Sequence, residues 1–130
     1  MATTDTTSRS LTLDYVKTIG IVNNGSNGRG FANPYDLALS REGNIYVLNR
    51  CDPARASAIR IGMCNLEEEY LGEFGYGYGQ DDGQFVWPVA MAFDSQERLY
   101  ITDESNHRVT VFDADGQFVR KWGTQGSGPG

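Results

Sequence analysis

An internal repeat constrains the fold of this chain more than any other feature of its sequence. Residues 31–39 (FANPYDLAL) align with residues 85–93 (FVWPVAMAF), and the same offset places residues 45–47 (IYV) on residues 99–101 (LYI). Four residues are identical in this register. Self-similarity at a period of several tens of residues is the signature of repeat architectures, in which each copy is one supersecondary unit. The repeat therefore predicts two copies of one structural unit.

Further aligned segments extend each unit to four strands, which we label A to D. Residues 58–61 (AIRI) match residues 108–111 (RVTV), and residues 70–75 (YLGEFG) match residues 118–123 (FVRKWG), after short insertions in the first unit. The segments are rich in β-branched and aromatic residues, and Gly, Asn and Asp separate them. Strands are predicted at residues 36–39, 44–48, 58–61 and 70–74 in the first unit and at residues 90–93, 98–102, 108–112 and 118–122 in the second.

The fold class follows from these strands. No stretch keeps apolar residues at helical spacing for three turns. Asp115 and Gly116 predict a hairpin turn between strands C and D, because Gly accepts the positive φ that such a turn needs. Four-stranded antiparallel units that bury each other's faces are the blades of a β-propeller. We therefore predict an all-β chain of two blades plus one extra strand. Phe74 and Trp122, at matching positions, are expected to pack between blades.

The second unit closely resembles the NHL repeat. Four of its segments carry this resemblance: residues 83–88 (GQFVWP), 99–103 (LYITD), 106–109 (NHRV) and 112–116 (FDADG). The first unit departs from the pattern, because Asn49 stands where the second has Asp103 and residues 51–57 (CDPARAS) enlarge the loop between strands B and C.

The resemblance implies a division of the whole chain, and it implies a ring of about six blades in the finished fold. The division is a flexible tail at residues 1–10, the outer strand of an incomplete blade at residues 11–20, a degenerate blade at residues 29–75, a second blade at residues 83–123 and a linker at residues 124–130. Two blades alone leave apolar faces and strand edges uncovered. Either several copies of the chain close a ring, or the chain is a truncated piece of a longer propeller. Both explanations stay open at this stage.

We expect the chain to bind protein or peptide rather than to act as an enzyme. In a propeller the D–A and B–C loops emerge at one end of the blades, where loops carry binding residues on a rigid scaffold. We call this surface the loop face. Its candidate residues are of the types that dominate interface energies, and they are Arg29, Arg50, Arg55, Tyr76, Tyr78, Trp87 and Glu104.

The alternative is a hydrolase or lyase, similar to propeller lactonases that hold calcium in the central channel. Oxygen ligands suit calcium, and the candidates here are Asp36, Asn49, Asp103 and Glu104. Asp103 is more simply the strand-end Asp of the repeat, which accepts hydrogen bonds from backbone or from Arg108. His107 is the single histidine, and we expect it to shape a turn. We therefore predict no catalytic residue, no resident metal and no cofactor.

Charge and cysteine content exclude further classes. The net charge of −6 repels phosphate, so we expect no nucleic-acid partner. The first ten residues lack the apolar core of a signal peptide and no apolar run reaches membrane-spanning length, so we expect a cytoplasmic protein without membrane contact. Cys51 and Cys64 are predicted to be free thiols, because the intervening strand would hold them at opposite ends of a blade.

Overall fold

Two four-stranded antiparallel sheets follow one another along the chain. The structure, a computed structural model, describes residues 8–21 and 30–129. We call the sheet in the order β1-β2-β3-β4 blade 1 and the sheet formed by β7 to β10 blade 2. A short two-stranded parallel sheet, β5-β6, lies in the linker between them. The strands are β1 (Pro34–Leu39), β2 (Ile45–Asn49), β3 (Arg60–Cys64), β4 (Tyr70–Phe74), β5 (Tyr76–Gly77), β6 (Gln84–Phe85), β7 (Pro88–Phe93), β8 (Leu99–Asp103), β9 (Arg108–Phe112) and β10 (Phe118–Trp122).

The predicted all-β class and the predicted blades are confirmed. Neighbouring strands within each blade pair in antiparallel fashion, so each blade is a meander. Both D strands have the predicted bounds, and both A strands begin two residues earlier than predicted. The predicted hairpin turn is also present, because Gly116 has φ of 77° and its amide donates to the carbonyl oxygen of Asp113.

The third strand of blade 1 begins later than the predicted residues 58–61. Residues 53–58 form a short 3-10 helix instead, which Pro53 opens and which Asp52 caps by accepting the amide hydrogen of Ala54 at 2.8 Å. The strand therefore starts at Arg60, opposite Asn49. In blade 2, Arg108 lies opposite Asp103 in the same way. The structural equivalent of Arg108 is thus Arg60, two residues beyond the position that the sequence alignment indicated.

The predicted outer strand at residues 11–20 stays a prediction. Residues 8–21 contain no strand in this structure, and a strand is assigned only where a neighbouring strand pairs with it. Their end is tied to blade 1 by other contacts. The amide of Phe31 donates to the carbonyl oxygen of Ile21 at 2.9 Å. The ammonium group of Lys17 lies 3.0 Å from the carboxylate of Glu68. Residues 1–7 of the predicted tail, and residue 130 of the predicted linker, lie outside the described residues.

The hydrophobic core lies between the two blades. Blade 1 contributes Tyr46, Leu48 and Ile61, and the facing side chains of blade 2 are Met91, Leu99, Ile101 and Phe112. Phe74 packs on Phe112 with a centroid distance of 5.0 Å, as expected for an inter-blade residue. Its counterpart Trp122 packs on Tyr100 of its own blade and remains 45 % exposed. The same side of each sheet is therefore covered in blade 1 and open in blade 2.

Both cysteines are free, as predicted. Cys64 is buried, and burial raises the pKa of its thiol. Within residues 8–21 and 30–129, no helix is both long and apolar enough to cross a membrane.

Candidate functional site

The B–C and D–A loops of the two blades meet at one end of the sheets. The 3-10 helix at residues 53–58 belongs to the B–C loop of blade 1, and β5 of the next linker packs against it. The amide of Gly77 donates to the carbonyl oxygen of Ile59 at 3.0 Å. Gly77 has no room for a side chain, because a Cβ atom there would lie 2.6 Å from Ile59. The loop face is therefore a packed surface with a defined backbone.

A polar residue at the end of strand B holds the linker that enters strand A. In blade 2, the amides of Val86 and Trp87 donate to the carboxylate of Asp103 at 2.8 and 3.0 Å. In blade 1, the amide of Ala32 donates to the side-chain oxygen of Asn49 at 3.1 Å. The side-chain nitrogen of Asn49 donates to two backbone carbonyl oxygens of its own sheet. Different residues thus fix the linker in the two blades.

The first residue of strand C reinforces the same linker. Arg60 donates to the carbonyl oxygen of Gly30 at 3.4 Å, and Arg108 donates to the carbonyl oxygen of Gln84 at 2.8 Å. Arg60 is buried and also forms an ion pair with Glu73 at 2.8 Å. Because each arginine reaches from strand C to the linker, both guanidinium groups serve the blade rather than a ligand.

The residue that follows strand B of blade 1 has a different environment. The guanidinium carbon of Arg50 lies 3.4 Å from the ring centroid of Tyr35 and 4.3 Å from that of Trp87. Each of these distances is well within the range of a cation–π interaction. Tyr35 belongs to β1, whereas Trp87 immediately precedes β7. The stack therefore spans the junction between the blades.

The backbone around this stack is also fixed. The amide of Arg50 donates to the carbonyl oxygen of Asn33 at 3.1 Å, and the amide of Glu104 donates to that of Trp87 at 3.0 Å. These two bonds are equivalent in the repeat, so Glu104 is the blade 2 counterpart of Arg50. The structure consequently brings three of the predicted residues, Arg50, Trp87 and Glu104, to one place.

The other predicted loop-face residues lie on the same surface but outside this stack. Arg55 is exposed in the 3-10 helix, beside the strand that contains Tyr76. Tyr76 and Tyr78 are 62 % and 49 % exposed. Among the described residues, no ring contact, hydrogen bond or ion pair joins either tyrosine to Arg50. Arg29 lies outside the described residues.

Sequence reasoning missed Tyr35. It stands where the second unit has Val89, so the only signal was an aromatic residue at an aliphatic position of strand A. A bulge between Pro34 and Asp36 interrupts the register of β1 at this residue. Side-chain direction at a bulge does not follow simple alternation, which is why the strand pattern could not assign Tyr35 to the loop face.

The oxygens proposed for calcium have other partners. Asp103 and Asn49 hold the linkers, as described above. Asp36 accepts the amide hydrogen of Met91 at 2.7 Å and so joins the first strands of the two blades. Of the four candidates only Glu104 is exposed. Across the described part of the chain, no three His, Cys, Asp or Glu side chains are grouped as metal ligands would be.

His107 occupies a turn, as expected. Its φ of 50° is left-handed, a region in which His is enriched among non-glycine residues. Its amide donates to the carbonyl oxygen of Glu104 at 3.3 Å and closes the short B–C loop of blade 2. Asp103 accepts hydrogen bonds from backbone amides, as expected. Arg108 is the other expected donor to Asp103, but it donates to carbonyl oxygens of the linker.

An apolar cleft of about 220 Å³ is a second candidate. It lies between the segment before blade 1 and the outward side of that blade, and it includes the buried thiol of Cys64. Its lining residues are Ile19, Gly20, Ile21, Gly30, Phe31, Gly62, Met63, Cys64, Glu68 and Tyr70. The cleft contains no convergent set of polar groups that would orient a ligand. The loop face is therefore the stronger candidate.

The fold and the loops define the class of this protein: its two sheets are β-propeller blades. A family model described as a 6-bladed beta-propeller matches residues 89–130. A solved structure from Bacteroides fragilis superposes with a TM-score of 0.58 at 14 % identity, covering 75 % of this chain and 26 % of that chain. At this identity the likeness concerns the fold alone.

The chain is similar to short parts of two curated relatives. RING finger protein nhl-1 of Caenorhabditis elegans is 46 % identical over 52 residues, which are 40 % of this chain and 5 % of that protein. NHL repeat-containing protein 3 of Homo sapiens is 28 % identical over 93 residues, 71 % of this chain and 26 % of that protein. Together these likenesses support an NHL-repeat propeller fragment, as the sequence resemblance indicated.

Proposed function

We propose that this chain is a propeller interaction module that binds protein or peptide through its loop face. The observation that carries the proposal is the stack of Arg50 with Tyr35 and Trp87. These three residue types supply most hot spots of protein interfaces, each with about 2 kcal/mol or more. Tyr35 remains 48 % exposed, so a partner can still contact the stack.

The surroundings of the stack suit the same role. Tyr76 and Tyr78 add two further exposed aromatic rings on loops whose backbones are fixed by hydrogen bonds. A pre-organised surface loses little conformational entropy when it binds, which favours affinity. Three of the four candidate calcium ligands, Asp36, Asn49 and Asp103, instead accept hydrogen bonds from backbone amides.

Selection of peptides from a displayed random library tests this proposal. Peptides recovered on the 130-residue chain should bind a Trp87→Leu or Tyr76→Ala variant at least tenfold more weakly. Arg41→Lys is the control. Arg41 lies in the A–B turn of blade 1, away from the loop face, and contacts Ser95 and Glu97 in the A–B turn of blade 2. The proposal fails if no peptide is recovered, or if the loop-face variants bind the recovered peptides as well as the control does.

We also propose that another blade covers the open side of blade 2. The supporting observation is the difference between equivalent residues: Phe74 is packed against blade 2, but Trp122 is 45 % exposed. An uncovered apolar sheet face is a hazard for aggregation. The covering blade would come from further copies of this chain or from a longer protein that contains it.

Light scattering after size exclusion distinguishes the two sources of the covering blade. A discrete multiple of 14.3 kDa, with threefold as the simplest route to six blades, would support closure by copies. A monomer at all concentrations would contradict self-assembly and would leave blades of a longer chain as the source. A Trp122→Glu variant is the matched control, because a charge on the open side should dissociate any assembly to the monomer.

A further inference from the structure

We propose that Arg50 binds the carboxylate of an acidic side chain, Asp or Glu, in a protein partner. This inference rests on the proposed function, because it names the chemistry that the loop face recognises. The stack fixes the group that would make the contact. A planar guanidinium has all five N–H donors in its plane, at its edges. The central carbon of the Arg50 guanidinium lies over the rings of Tyr35 and Trp87, and these ring contacts use none of the N–H donors.

Those edges have no partner in the described part of the chain. The side chain of Arg50 makes no hydrogen bond and no ion pair with residues 8–21 or 30–129. The two acidic residues that are nearest to Arg50 along the loops form no ion pair with it. Asp52 accepts the amide hydrogen of Ala54 as a helix cap. Glu104 is exposed and lies beyond ion-pair distance of Arg50.

Four other arginines of the blades have polar partners. Arg60 and Arg108 have their donors on linker carbonyl oxygens. Arg41 and Arg98 form ion pairs with Glu97 and Asp94. Arg50 contacts two aromatic rings at the loop face, whereas Arg120 contacts the single ring of Trp122 on β10.

A carboxylate matches the geometry of these open donors. The guanidinium fork and a carboxylate form two parallel charge-assisted hydrogen bonds, which a neutral amide cannot reproduce. A nucleic acid would need several cations to neutralise successive phosphates. The chain has a net charge of −6, and at the stack it offers a single guanidinium with Glu104 beside it. A single acidic side chain carries one negative charge and therefore meets less of that repulsion than a chain of phosphates does.

Titration with capped tripeptides tests the inference directly. The probes are acetyl-Gly-Glu-Gly-amide, the matched acetyl-Gly-Gln-Gly-amide and the RNA oligomer hexauridylate, at constant ionic strength. Binding is followed through the indole and guanidinium N–H resonances of Trp87 and Arg50. We expect saturable binding of the Glu peptide and at least tenfold weaker binding of the Gln peptide.

Variants separate recognition by the fork from simple charge attraction. Arg50→Lys keeps the charge but loses the fork, and should weaken binding of the Glu peptide at least fivefold. Arg120→Lys is the control, because Arg120 also stacks on a tryptophan, Trp122, but belongs to β10 rather than to the loops. It should leave binding unchanged within twofold. The dispersion of the amide spectrum shows whether each variant is folded, and Arg50→Gln repeats the test if the Lys variant is not.

The inference is overturned if the Glu peptide does not saturate, if the Gln peptide binds equally well, or if hexauridylate binds more tightly through Arg50. Failure of the proposed function has a different outcome. If library peptides bind the loop face independently of Arg50 and without acidic residues, the interaction function stands and only carboxylate recognition fails. If no library peptide binds the loop face, the proposed function itself fails.

Discussion

Blade 1 and blade 2 share one architecture but differ in the residues that secure it and in the loops that leave it. Both blades anchor their linker through the last residue of strand B and the first residue of strand C. Blade 2 uses Asp103 and closes its B–C loop with a short turn. Blade 1 uses Asn49 and inserts a 3-10 helix. The irregular blade carries Arg50, whereas the regular blade has Glu104 at that position.

This difference shows which positions of the repeat are fixed by the fold and which can vary. The linker anchor tolerates a change of residue type as long as backbone amides find an acceptor. The B–C loop that follows the anchor differs between the two blades. Arg50, the cation of the stack, lies at the start of this divergent loop in blade 1. The side of blade 1 that faces blade 2 is covered, while the equivalent side of blade 2 is open.

The largest expected effect tests the covered and open sides. Phe74→Ala should lower the free energy of unfolding by about 3 kcal/mol, because it removes an aromatic side chain from the inter-blade core. The equivalent Trp122→Ala should cost about 1 kcal/mol or less in the monomer, because Trp122 is half exposed. Denaturant unfolding measures both. Equal losses for the two variants would mean that the blades are not docked in this way.

Exchange of the two linker anchors should destabilise the chain in both directions. Asn49→Asp restores the residue of the repeat, yet it places a carboxylate beside the carbonyl oxygens of Val47 and Arg60, where the amide nitrogen now donates. Asp103→Asn turns an NH₂ group towards backbone N–H donors. Each change should cost about 2 kcal/mol in denaturant unfolding, as expected for a buried polar group that loses its partner. A gain in stability for Asn49→Asp would contradict the assigned hydrogen bonds.

Two turn glycines separate the cost of backbone strain alone from the cost of backbone strain combined with a steric clash. Gly116 and Gly43 both have left-handed backbone, with φ of 77° and 84°. A Cβ atom at Gly116 would lie 2.8 Å from the Phe74 ring, whereas Gly43 faces open space. Gly43→Ala should cost about 1 kcal/mol for the backbone conformation. Gly116→Ala should cost about 1 kcal/mol more, because Phe74 must also move. Similar losses of melting temperature for the two variants would show that Phe74 of blade 1 does not pack against the turn at Gly116.

The smallest effect concerns pH and the A–B turns. In blade 2 the backbone amide of Arg98 donates to Asp94 and, with further hydrogen bonds, lowers the pKa of that carboxyl to about 2 from 3.8. The resulting stability is present above pH 4 and is lost as pH falls through about 2. The equivalent turn of blade 1 uses the hydroxyl of Ser40, which does not titrate.

An Asp94→Ser variant therefore makes the second turn resemble the first. Between pH 5 and pH 2 the midpoint of urea unfolding should fall less steeply for this variant than for the parent chain. Identical pH profiles would show that the hydrogen bonds to Asp94 contribute nothing to stability that depends on its charge.

Most of the fold could be predicted because the repeat fixes it. Alternation of apolar residues and turn residues located strands A, B and D, and the second copy supplied an independent check of the first. Strand C of blade 1 was misplaced because the sequence cannot show how many loop residues a 3-10 helix absorbs. The alignment favoured Ala58, but the ladder pairs Arg60 with Asn49.

The candidate site could be predicted only in part. Loop position and residue type indicated Arg50 and Trp87, but not that they touch. Tyr35 escaped because a bulge turns a strand residue towards the loops. The segment at residues 15–20 has the composition of a strand, but strand pairing also depends on a neighbouring strand, which composition does not reveal. All of these features depend on contacts between segments that are distant in the sequence, and a local residue pattern does not reveal such contacts.

The two blades dock and bring Tyr35, Arg50 and Trp87 together at their junction, and the proton NMR shifts of the Arg50 side chain test this arrangement most directly. If the guanidinium lies between two rings, the neighbouring methylene protons of Arg50 should be shifted upfield relative to those of the exposed Arg55. Trp87→Leu and Tyr35→Leu should each reverse part of that shift. Arg50 signals that coincide with those of Arg55 in the parent chain would contradict both the docking of the blades and the site.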